Sequence, residues 1–441
     1  MTGQDAGLGP LADGGRVAIL GGGPAGTATA ISLQMNGRLL GRELRVTLVE
    51  SKQFTGEQHH NLCTGVLAPP IMELLENDLC VPFPYHLSRD TITGFVLHTA
   101  RRQIILEAEE SSAAGGVSPA AGGTGPDAGG RETSVALRRV QFDAYMLEAA
   151  RQRGVEVLPA RVTGLELRGD QVVVYTDSAP LEVDVVVGAF GLDEGAAAIF
   201  KQAVGYRPPP ALSSLVTKYH PGEAGMLRFG HRIHAFLPPA SRIEFAAITP
   251  KGNHLTINMA GVDLDSTLMD AFLAAAEVQR NLPDLDKAGQ VDANDLRYFK
   301  GRFPRGLAGN FTGDRFVMVG DAAGLVRAFK GKGVTSAIQS GIRAAHTILQ
   351  AGISSAAFQS YRAANGEIIN DLIYGQAFRH FAILASRFGL MDVIVAAAER
   401  DSNIRQALYD AVSAHRSYRQ VLRESLGLSS LAAVISALFK R

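Results

Sequence analysis

Tryptophan is absent from this chain of 441 residues, and cysteine occurs only at Cys63 and Cys80. The two cysteines do not form a Cys-x-x-Cys pair, which argues against a disulfide framework, a structural zinc site and an iron–sulfur cluster. We therefore predict no metal site, and a reducing cytoplasm suits this cysteine usage best.

The chain also lacks an excess of charge of either sign, because 43 lysine and arginine residues are balanced by 43 aspartate and glutamate residues. A chain without a net positive field does not hold a polyanion by counterion release, so nucleic acid is not an expected partner. The sequence also has no uninterrupted run of about 18 apolar residues and no basic N-terminal segment followed by an apolar one. We expect neither secretion nor a membrane-spanning helix.

Hydrophobic residues make up 46% of the chain, which is enough for one large core or for two or three linked ones. Residues 16–34 predict a buried strand, a glycine-rich turn and a helix, and residues 45–50 predict a second strand, which completes a βαβ unit. Residues 206–262 are typical of antiparallel strands, and the chain after about residue 333 is typical of helices. Residues 108–132, rich in Ala, Gly, Ser and Pro, predict a flexible insertion.

The glycine-rich turn has the spacing G-x-G-x-x-G. Gly21 permits the tight turn, Gly23 lets the backbone approach a diphosphate, and Gly26 lets the helix pack closely on the strand. Glu50 ends the second strand, where a carboxylate accepts from a ribose hydroxyl. A glycine turn that binds nothing is the alternative, which the flanking strand and helix disfavour. The predicted cofactor-binding residues in this part are Gly21, Gly23, Pro24, Ala25, Gly26 and Glu50.

A second glycine-rich stretch, VGDAAGLVRAFKGKG at 319–333, follows about 300 residues later. One long ligand held at both ends explains the pair of motifs, and FAD is such a ligand. Asp321 would accept hydrogen bonds from its ribityl or ribose hydroxyls, and backbone N–H groups at Gly331 and Gly333 would reach the flavin pyrimidine oxygen. The alternative for Asp321 is a helix N-cap. Gly320 and Lys332 complete the predicted site in this stretch.

The segments VAILGGGPAG, CTGVLAPP (63–70), RRVQFD (138–143) and VMVGDAAGLVRAFKGKGVTSAIQSG, with Glu50, resemble the FAD-dependent geranylgeranyl reductase family. This family is a branch of the p-hydroxybenzoate hydroxylase-like flavoproteins. The resemblance covers about the first 345 residues, and the helical C-terminal region is also similar. It implies an α/β fold in which a Rossmann-type FAD-binding domain carries an inserted antiparallel β-rich substrate domain and is followed by a C-terminal helical region.

The domain boundaries that we predict follow from this arrangement. The FAD-binding domain takes residues 16–85, 133–205 and 295–350, the substrate domain takes 86–107 and 206–294, and the helical region takes 351–441.

The resemblance also implies roles for single residues. Arg139 would line the flavin region, Val162 would meet the adenine through its backbone, and Cys63 would lie beside the isoalloxazine. His60, next to His59, would deliver a proton, although a solvated histidine is the alternative and a small buried apolar residue is the alternative for Cys63.

Lys330 and Lys332 flank the flavin loop, where either could stabilise the negative charge of reduced flavin; solvated lysines are the alternative.

Two departures from the family pattern concern the electron donor and the substrate. Phe190 occupies a position that is often aspartate in the superfamily, which weakens any inference about NADPH engagement. The segment HAFLPP, with His234, Phe236 and Pro238 as predicted substrate contacts, stands where the family has a tryptophan-bearing substrate segment, so the prenyl substrate stays open.

The predicted function is FAD-dependent reduction of C=C bonds in an isoprenoid or prenyl-lipid substrate. Because the chain has no second G-x-G-x-x-G motif, the donor would be a transient NAD(P)H or a reduced electron carrier. A flavin monooxygenase and a non-catalytic flavin-binding lipid carrier are the alternatives, whereas a halogenase is disfavoured by the lack of tryptophan.

The end of the chain predicts a short amphipathic helix suited to a bilayer surface but too short to span it. We therefore expect a peripheral membrane contact on the cytoplasmic face. The alternative is that this helix packs on the protein's own helices. The apolar face consists of Leu428, Leu431, Val434, Ile435 and Leu438.

Overall fold

A mostly parallel sheet carries the glycine-rich turn. The structure, a computed structural model, describes residues 7–54, 63–107, 134–239, 242–282, 296–327, 333–413 and 416–425. The strands of this sheet are apolar on both faces because helices cover both sides. In spatial order they are β18 (Thr312–Gly313), β19 (Phe316–Met318), β12 (Val185–Gly188), β1 (Arg16–Leu20), β2 (Arg45–Val49) and β8 (Glu156–Leu158), with only the β18–β19 pair antiparallel.

Helices α1 (Pro24–Leu39) and α8 (Gly333–Gln350) lie side by side against this sheet. Their backbones approach closely at Gly341, where an added Cβ would lie 2.5 Å from the carbonyl oxygen of Ala25. Helix α3 (Arg139–Arg151) also contacts α1, and α4 (Glu194–Val204) follows β12.

A second sheet has seven strands in the described residues, and we call it the substrate sheet because most of it lies in the predicted substrate domain. Its strands pair antiparallel except β14 with β5. In spatial order they are β17 (Phe299–Pro304), β13 (Ala211–Tyr219), β16 (Leu255–Gly261), β15 (Ile243–Pro250), β14 (Arg232–Phe236), β5 (Gly94–His98) and β6 (Gln103–Leu106).

The two faces of this second sheet have different surroundings. The outer face packs on α5 (Gly222–Phe229), α6 (Ser266–Leu273) and α7 (Ala276–Gln279). The inner face carries Ile233 and Ala247, which pack on Ile92 and Ala136 of a small sheet next to the glycine-rich domain.

That small sheet joins β3 (Val66–Leu67), β7 (Ser134–Leu137) and β4 (Ser88–Ile92). Helix α2 (Ile71–Glu73) and a π-helical turn (Leu74–Asp78) follow β3. A further sheet consists of β11 (Leu181–Val183), β10 (Gln171–Thr176) and β9 (Val162–Arg168).

The chain from α8 onward is helical wherever it is described, as the sequence predicts. Arg379 of α10 forms a buried ion pair with Glu244 of β15, which ties these helices to the substrate sheet. The helices after α8 are α9 (Ala357–Ala364), α10 (Gly366–Arg387), α11 (Leu390–Ala398), α12 (Ser402–Ser413) and α13 (Tyr418–Ser425).

The predicted fold class is confirmed, but two domain boundaries need correction. Strand β17 lies within the predicted FAD-binding segment 295–350, yet it pairs with β13 and extends the substrate sheet. Strand β4 lies within the predicted substrate segment 86–107, yet it pairs with β7 of the other domain. Each of these strands pairs with a segment that is distant in the chain, β17 with β13 and β4 with β7. Hydrogen bonding between distant segments therefore decides which sheet they join. The predicted insertion 108–132 lies outside the described residues.

Candidate functional site

The three glycines of the turn differ in what surrounds them. A Cβ on Gly26 would lie 1.9 Å from the carbonyl oxygen of Gly21, and a Cβ on Gly21, which has a φ of +118°, would lie 2.4 Å from the carbonyl oxygen of Ala189. A Cβ on Gly23 would meet no atom within 4 Å. Protein packing therefore explains Gly21 and Gly26, whereas Gly23 borders open space at the N-terminus of α1, where a ligand phosphate can approach.

Glu50 lies beside this turn, as its place at the end of β2 predicts. The backbone N–H of Gly22 donates to Glu50 Oε2 over 2.8 Å, and the N–H of Lys52 donates to Oε1 over 2.7 Å. The Glu50 N–H donates to the carbonyl oxygen of Leu158. Val162, at the start of β9, follows Leu158 closely, which puts the predicted adenine contact on the Glu50 side of the sheet.

The second motif meets the first at Gly320. This residue has a φ of +59°, and a Cβ on it would lie 2.9 Å from Ala25 Cβ and 3.3 Å from Ala337 Cβ. Its N–H donates to Ser340 Oγ of α8 over 2.9 Å. The fold therefore brings together two glycine-rich stretches separated by about 300 residues, and Asp321 follows directly.

Asp321 is a half-buried carboxylate without a hydrogen-bond partner for its side chain among the described residues. Burial raises its pKa to about 6, although Arg139 opposes this shift. Gly333, at the start of α8, lies close enough that a Cβ on it would be 3.8 Å from Asp321 Oδ1. An acceptor left open beside the Gly23 space matches the hydroxyl groups of a dinucleotide.

Arg139 connects this carboxylate to the Cys63 segment. Its Nε donates to Asp143 Oδ1 over 2.7 Å, and both side chains are buried. Burial by itself lowers the pKa of Arg139, but attraction to Asp143, Cys63 and Asp321 outweighs it and raises that pKa. The guanidinium is thus a fixed positive charge within electrostatic reach of both Asp321 and Cys63.

The segment from Cys63 to Pro69 is fixed by its backbone. The N–H of Gly65 donates to Cys63 Sγ over 3.3 Å, and the N–H of Leu137 donates to the carbonyl oxygen of Gly65 over 3.0 Å. Thr335 of α8 donates to the carbonyl oxygen of Ala68 over 3.1 Å. The Cys63 segment and the Asp321 loop therefore contact the two sides of the start of α8.

Four sequence-predicted residues cannot be placed. His60 lies outside the described residues, as do Lys330, Gly331 and Lys332. Their roles stay predictions, whereas Cys63, Arg139, Asp321, Gly333 and the glycine turn are brought to one end of the parallel sheet.

The predicted substrate segment HAFLPP lies on a different side of the substrate sheet. Phe236 is buried on the outer face, edge-on to Phe272 of α6 with ring centroids 5.4 Å apart. Side chains alternate along a strand, so His234 shares that face, and its Nδ1 lies 3.0 Å from Nε2 of His98. The carbonyl oxygen of Pro238 accepts from Ser386 Oγ of α10. His234 and Phe236 thus do not share the face that adjoins Cys63.

Phe190 is a packing residue in this structure. Its ring centroid lies 5.3 Å from that of Phe200 and 5.9 Å from that of Tyr206. Tyr206 in turn donates to the carbonyl oxygen of Ala322 over 2.7 Å and so supports the Asp321 loop.

A polar row on the inner face was missed by the sequence analysis. His254, Thr256 and Asn258 alternate along β16 and the residue before it. Each has a buried polar atom for which the described residues provide no hydrogen-bond partner: Nε2, Oγ1 and Oδ1 respectively. Lys251 lies beside them, with Nζ 3.4 Å from the carbonyl oxygen of Cys63. The signal was present as polar residues at every second position of HLTIN, an otherwise apolar strand.

Comparisons with known proteins agree with this architecture. No family model matches the chain. A curated relative, the digeranylgeranylglycerophospholipid reductase 2 of Methanosphaera stadtmanae, is 25% identical over 222 residues, which are 50% of this chain and 56% of the relative. The chain thus spans about half the length of the curated relative that it matches.

Solved structures share the fold over nearly the whole chain. A geranylgeranyl bacteriochlorophyll reductase-like protein of Thermoplasma acidophilum has a TM-score of 0.65 at 16% identity, covering 93% of this chain and 98% of its own. A flavoprotein/dehydrogenase of Cytophaga hutchinsonii has a TM-score of 0.64 at 15% identity, covering 97% and 99%. A variant of the halogenase PltM in complex with FAD has a TM-score of 0.60 at 14% identity, covering 95% and 87%.

These likenesses at low identity concern the fold. They confirm, together with the curated relative, the resemblance that the motifs indicated: the chain has the fold of FAD-dependent flavoprotein oxidoreductases and is geranylgeranyl reductase-like in sequence.

Proposed function

We propose that the protein binds FAD and reduces C=C bonds of a prenyl-lipid substrate. The observation that carries this proposal is the open space at Gly23, next to the loop of Asp321, whose carboxylate has no hydrogen-bond partner among the described residues; a diphosphate would occupy that space. A dinucleotide whose diphosphate adjoins a polyhydroxylated linker would satisfy both, and Glu50 would hold its adenosine end. The curated relative, named as a reductase of a digeranylgeranyl lipid, supports the substrate class.

The residues around this site have separate roles in the proposal. Bound FAD, once reduced, would supply a hydride for one carbon of the double bond, and a proton must reach the other carbon, for which His60 is the predicted donor. Arg139 holds a fixed charge between Asp321 and Cys63, and the packed inner sheet face keeps water away from the substrate. Cys63 would contact the substrate side of the bound cofactor, as the resemblance implies. The electron donor would be a transient NAD(P)H or a reduced carrier, as the sequence analysis predicts.

The test is anaerobic reoxidation. The purified FAD-loaded protein is reduced and then mixed with geranylgeranyl lipids, with saturated analogues as the control. The proposal expects flavin reoxidation only with the unsaturated lipids and a product heavier by two hydrogens per turnover. Reoxidation that requires oxygen and yields a hydroxylated product supports a monooxygenase instead, and a yellow protein without any lipid-dependent reoxidation supports a carrier. A Cys63→Ser variant that keeps the flavin but reoxidises at the wild-type rate contradicts the role of Cys63.

We further propose that the substrate is taken from an anionic membrane surface through α10. Ile373, Phe381, Leu384 and Phe388 form one stripe along this helix and are exposed by 74%, 52%, 53% and 68%. The side chains in this stripe project into solvent at helical spacing, which is the pattern of a helix that lies on a bilayer.

The side chains next to this stripe favour contact with a lipid surface over contact with the apolar surface of another protein. The exposed basic side chains beside it are His380 and Arg387, and the sequence has no carboxylate between Asp371 and Asp392. Such a surface is complementary to anionic headgroups. In the described residues no single helix is long and apolar enough to cross a bilayer; α10 and α11, bent by 104°, reach that by length and composition only when taken together.

A further inference from the structure

Basic side chains surround the polar row on the inner face of the substrate sheet. We call this cluster the basic row; it consists of the basic residues Lys218, Lys251 and His254, together with the hydroxyl of Thr256. Lys218 and Thr256 are directly opposed on β13 and β16, and the His220 ring centroid lies 5.2 Å from that of His254. Neighbouring strands thus contribute to one face.

Two buried members of the row, His254 and Thr256, have polar atoms that lack the partners buried polar groups normally have, whereas Lys251 donates to the carbonyl oxygen of Cys63. Lys251 is 6% exposed and His254 is 7% exposed. His254 Nδ1 lies 2.9 Å from Asn253 Oδ1, but within the described part of the chain neither His254 Nε2 nor Thr256 Oγ1 has a hydrogen-bond partner. A donor or acceptor left unpaired inside a protein costs free energy, so these atoms point to a ligand that completes them.

The sign of the charge indicates what that ligand is. Burial, then repulsion from Lys218 and Arg138, lower the pKa of Lys251 to about 8, although Cys63 opposes this. Burial, then Lys251, His220 and Lys218, lower the pKa of His254 to about 3. Like charges gathered in a buried place repel one another, and a bound anion relieves that repulsion and supplies acceptors for the ammonium and hydroxyl donors.

The position of the row relates this anion to the reacting site. Lys251 Nζ lies 3.4 Å from the carbonyl oxygen of Cys63, and a Cβ on Gly65 would come within 2.6 Å of the same nitrogen. An anion on the row is therefore adjacent to the segment that we place beside the flavin.

We propose that Lys218, Lys251 and His254, with Thr256, bind the phosphate group of a prenyl-lipid headgroup and so orient the prenyl chain toward the Cys63 segment. This rests on the proposed function for its substrate class and adds that the substrate is a phosphate ester and not a neutral isoprenoid. Lys251 and Lys218 donate to phosphate oxygens, and Thr256 contributes a hydroxyl donor. A bound anion would favour protonation of His254 Nε2, which could then donate to a phosphate oxygen while Nδ1 stays on Asn253 Oδ1.

The test is equilibrium binding to the FAD-loaded, oxidised protein, with geranyl diphosphate and geraniol as probes at constant ionic strength. The wild type should bind the diphosphate at least about tenfold more tightly than the alcohol. Lys218→Gln and Lys251→Met should each reduce the affinity for the diphosphate about tenfold and leave that for geraniol unchanged. The matched control is Lys300→Gln, since Lys300 is exposed on β17 opposite Leu215 and so belongs to the outer face of the same sheet.

A second measurement is independent of variants that fail to fold. In the wild-type protein, titration with inorganic diphosphate should raise the pKa of the His254 imidazole, followed by NMR of isotope-labelled histidine. Equal affinities for the two probes, an equal loss in Lys300→Gln, or an unmoved His254 overturns the proposal. If the row variants instead weaken the binding of NADPH and leave the binding of geranyl diphosphate unchanged, the row binds the phosphate of a nucleotide. That result also overturns the proposal.

Because the flavin stays oxidised, binding is measured without turnover. Phosphate-dependent binding without any lipid reduction therefore contradicts only the proposed function, and reduction without phosphate-dependent binding contradicts only the basic row.

Discussion

Gly320 and Ala25 touch across the junction of the two glycine-rich stretches: the Cβ that Gly320 lacks would lie 2.9 Å from Ala25 Cβ. This contact puts Asp321 beside the N-terminus of α1. Its consequence is that the two glycine-rich stretches of the proposed dinucleotide site depend on each other, because a residue larger than glycine at 320 would collide with Ala25 of α1.

Gly23→Ala should remove the flavin without unfolding the protein. The new Cβ meets no protein atom within 4 Å, and the extended backbone at Gly23, with φ −72°, accepts an alanine. It would occupy the space of the diphosphate, so the flavin affinity should fall at least about tenfold. Thermal unfolding of the flavin-free protein and flavin titration measure the two effects.

Gly26→Ala is the contrasting variant. Its Cβ would lie 1.9 Å from the carbonyl oxygen of Gly21, so it should destabilise the flavin-free protein itself. Wild-type flavin affinity in Gly23→Ala contradicts the diphosphate site.

Asp321→Ala should weaken FAD binding and stabilise the flavin-free protein at neutral pH. Burial raises the pKa of Asp321 to about 6, above its unfolded value of 3.8. The folded state therefore holds the proton more tightly, and an ionised Asp321 costs stability that grows as the pH rises from about 4 to 6. We expect a gain on the order of 1–2 kcal/mol at pH 7.5.

FAD affinity should fall by roughly 1–3 kcal/mol in the same variant, because a hydroxyl partner is lost. Denaturant unfolding of the flavin-free variant at pH 7.5 and pH 4, with flavin titration at pH 7.5, separates the two effects. A purely structural Asp321 predicts the reverse: lower stability at pH 7.5 and flavin affinity within twofold of the wild type.

The protein should lose stability as the pH falls from about 6.5 to 4.5, through His98 and His234. Burial, followed by repulsion from His234 and Arg280, lowers the pKa of His98 to about 3. Burial, followed by repulsion from Arg232, lowers the pKa of His234 to about 4. In the unfolded chain both protonate near pH 6.5, so acid favours unfolding by up to about 4 kcal/mol for the pair. Urea unfolding at the two pH values measures this.

A His98→Phe/His234→Phe double variant should flatten that dependence. The rings are stacked with centroids 5.0 Å apart, which leaves room for aromatic replacements. An unchanged difference between pH 6.5 and pH 4.5 assigns the acid sensitivity to other groups.

Phe381→Ser/Phe388→Ser should lower binding to anionic vesicles about tenfold or more, since each phenylalanine would bury its ring in the lipid. Flotation with phosphatidylglycerol vesicles measures it. The control is Leu39→Ser/Leu227→Ser, which removes two apolar side chains elsewhere that are even more exposed, by 79% and 77%.

A chain that ends at Gly427 tests the predicted C-terminal amphipathic segment, which lies outside the described residues. If the α10 double variant floats like the wild type and the shortened chain does not, the membrane contact lies in that segment and not in α10.

The amino-acid sequence by itself determined the local parts of the site. A strand, a G-x-G-x-x-G turn and a helix are neighbours in the chain, so local backbone geometry predicts their arrangement, and the structure has them as β1, the turn and α1. Asp321 could be predicted as well, because a Gly-Asp after a buried strand has a recognisable pattern. The helices after Gly333 follow from their periodicity.

Only the tertiary structure decided which distant segments meet. The pairing of β13, β15 and β16 sets the register that puts Lys218 opposite Thr256 and brings Lys251 to the carbonyl oxygen of Cys63. The same alternation turns Phe236 to the outer face, against the sequence expectation for a substrate contact. A shift of one residue in strand register exchanges the two faces of a sheet, and that register is set by pairing between segments far apart in the chain.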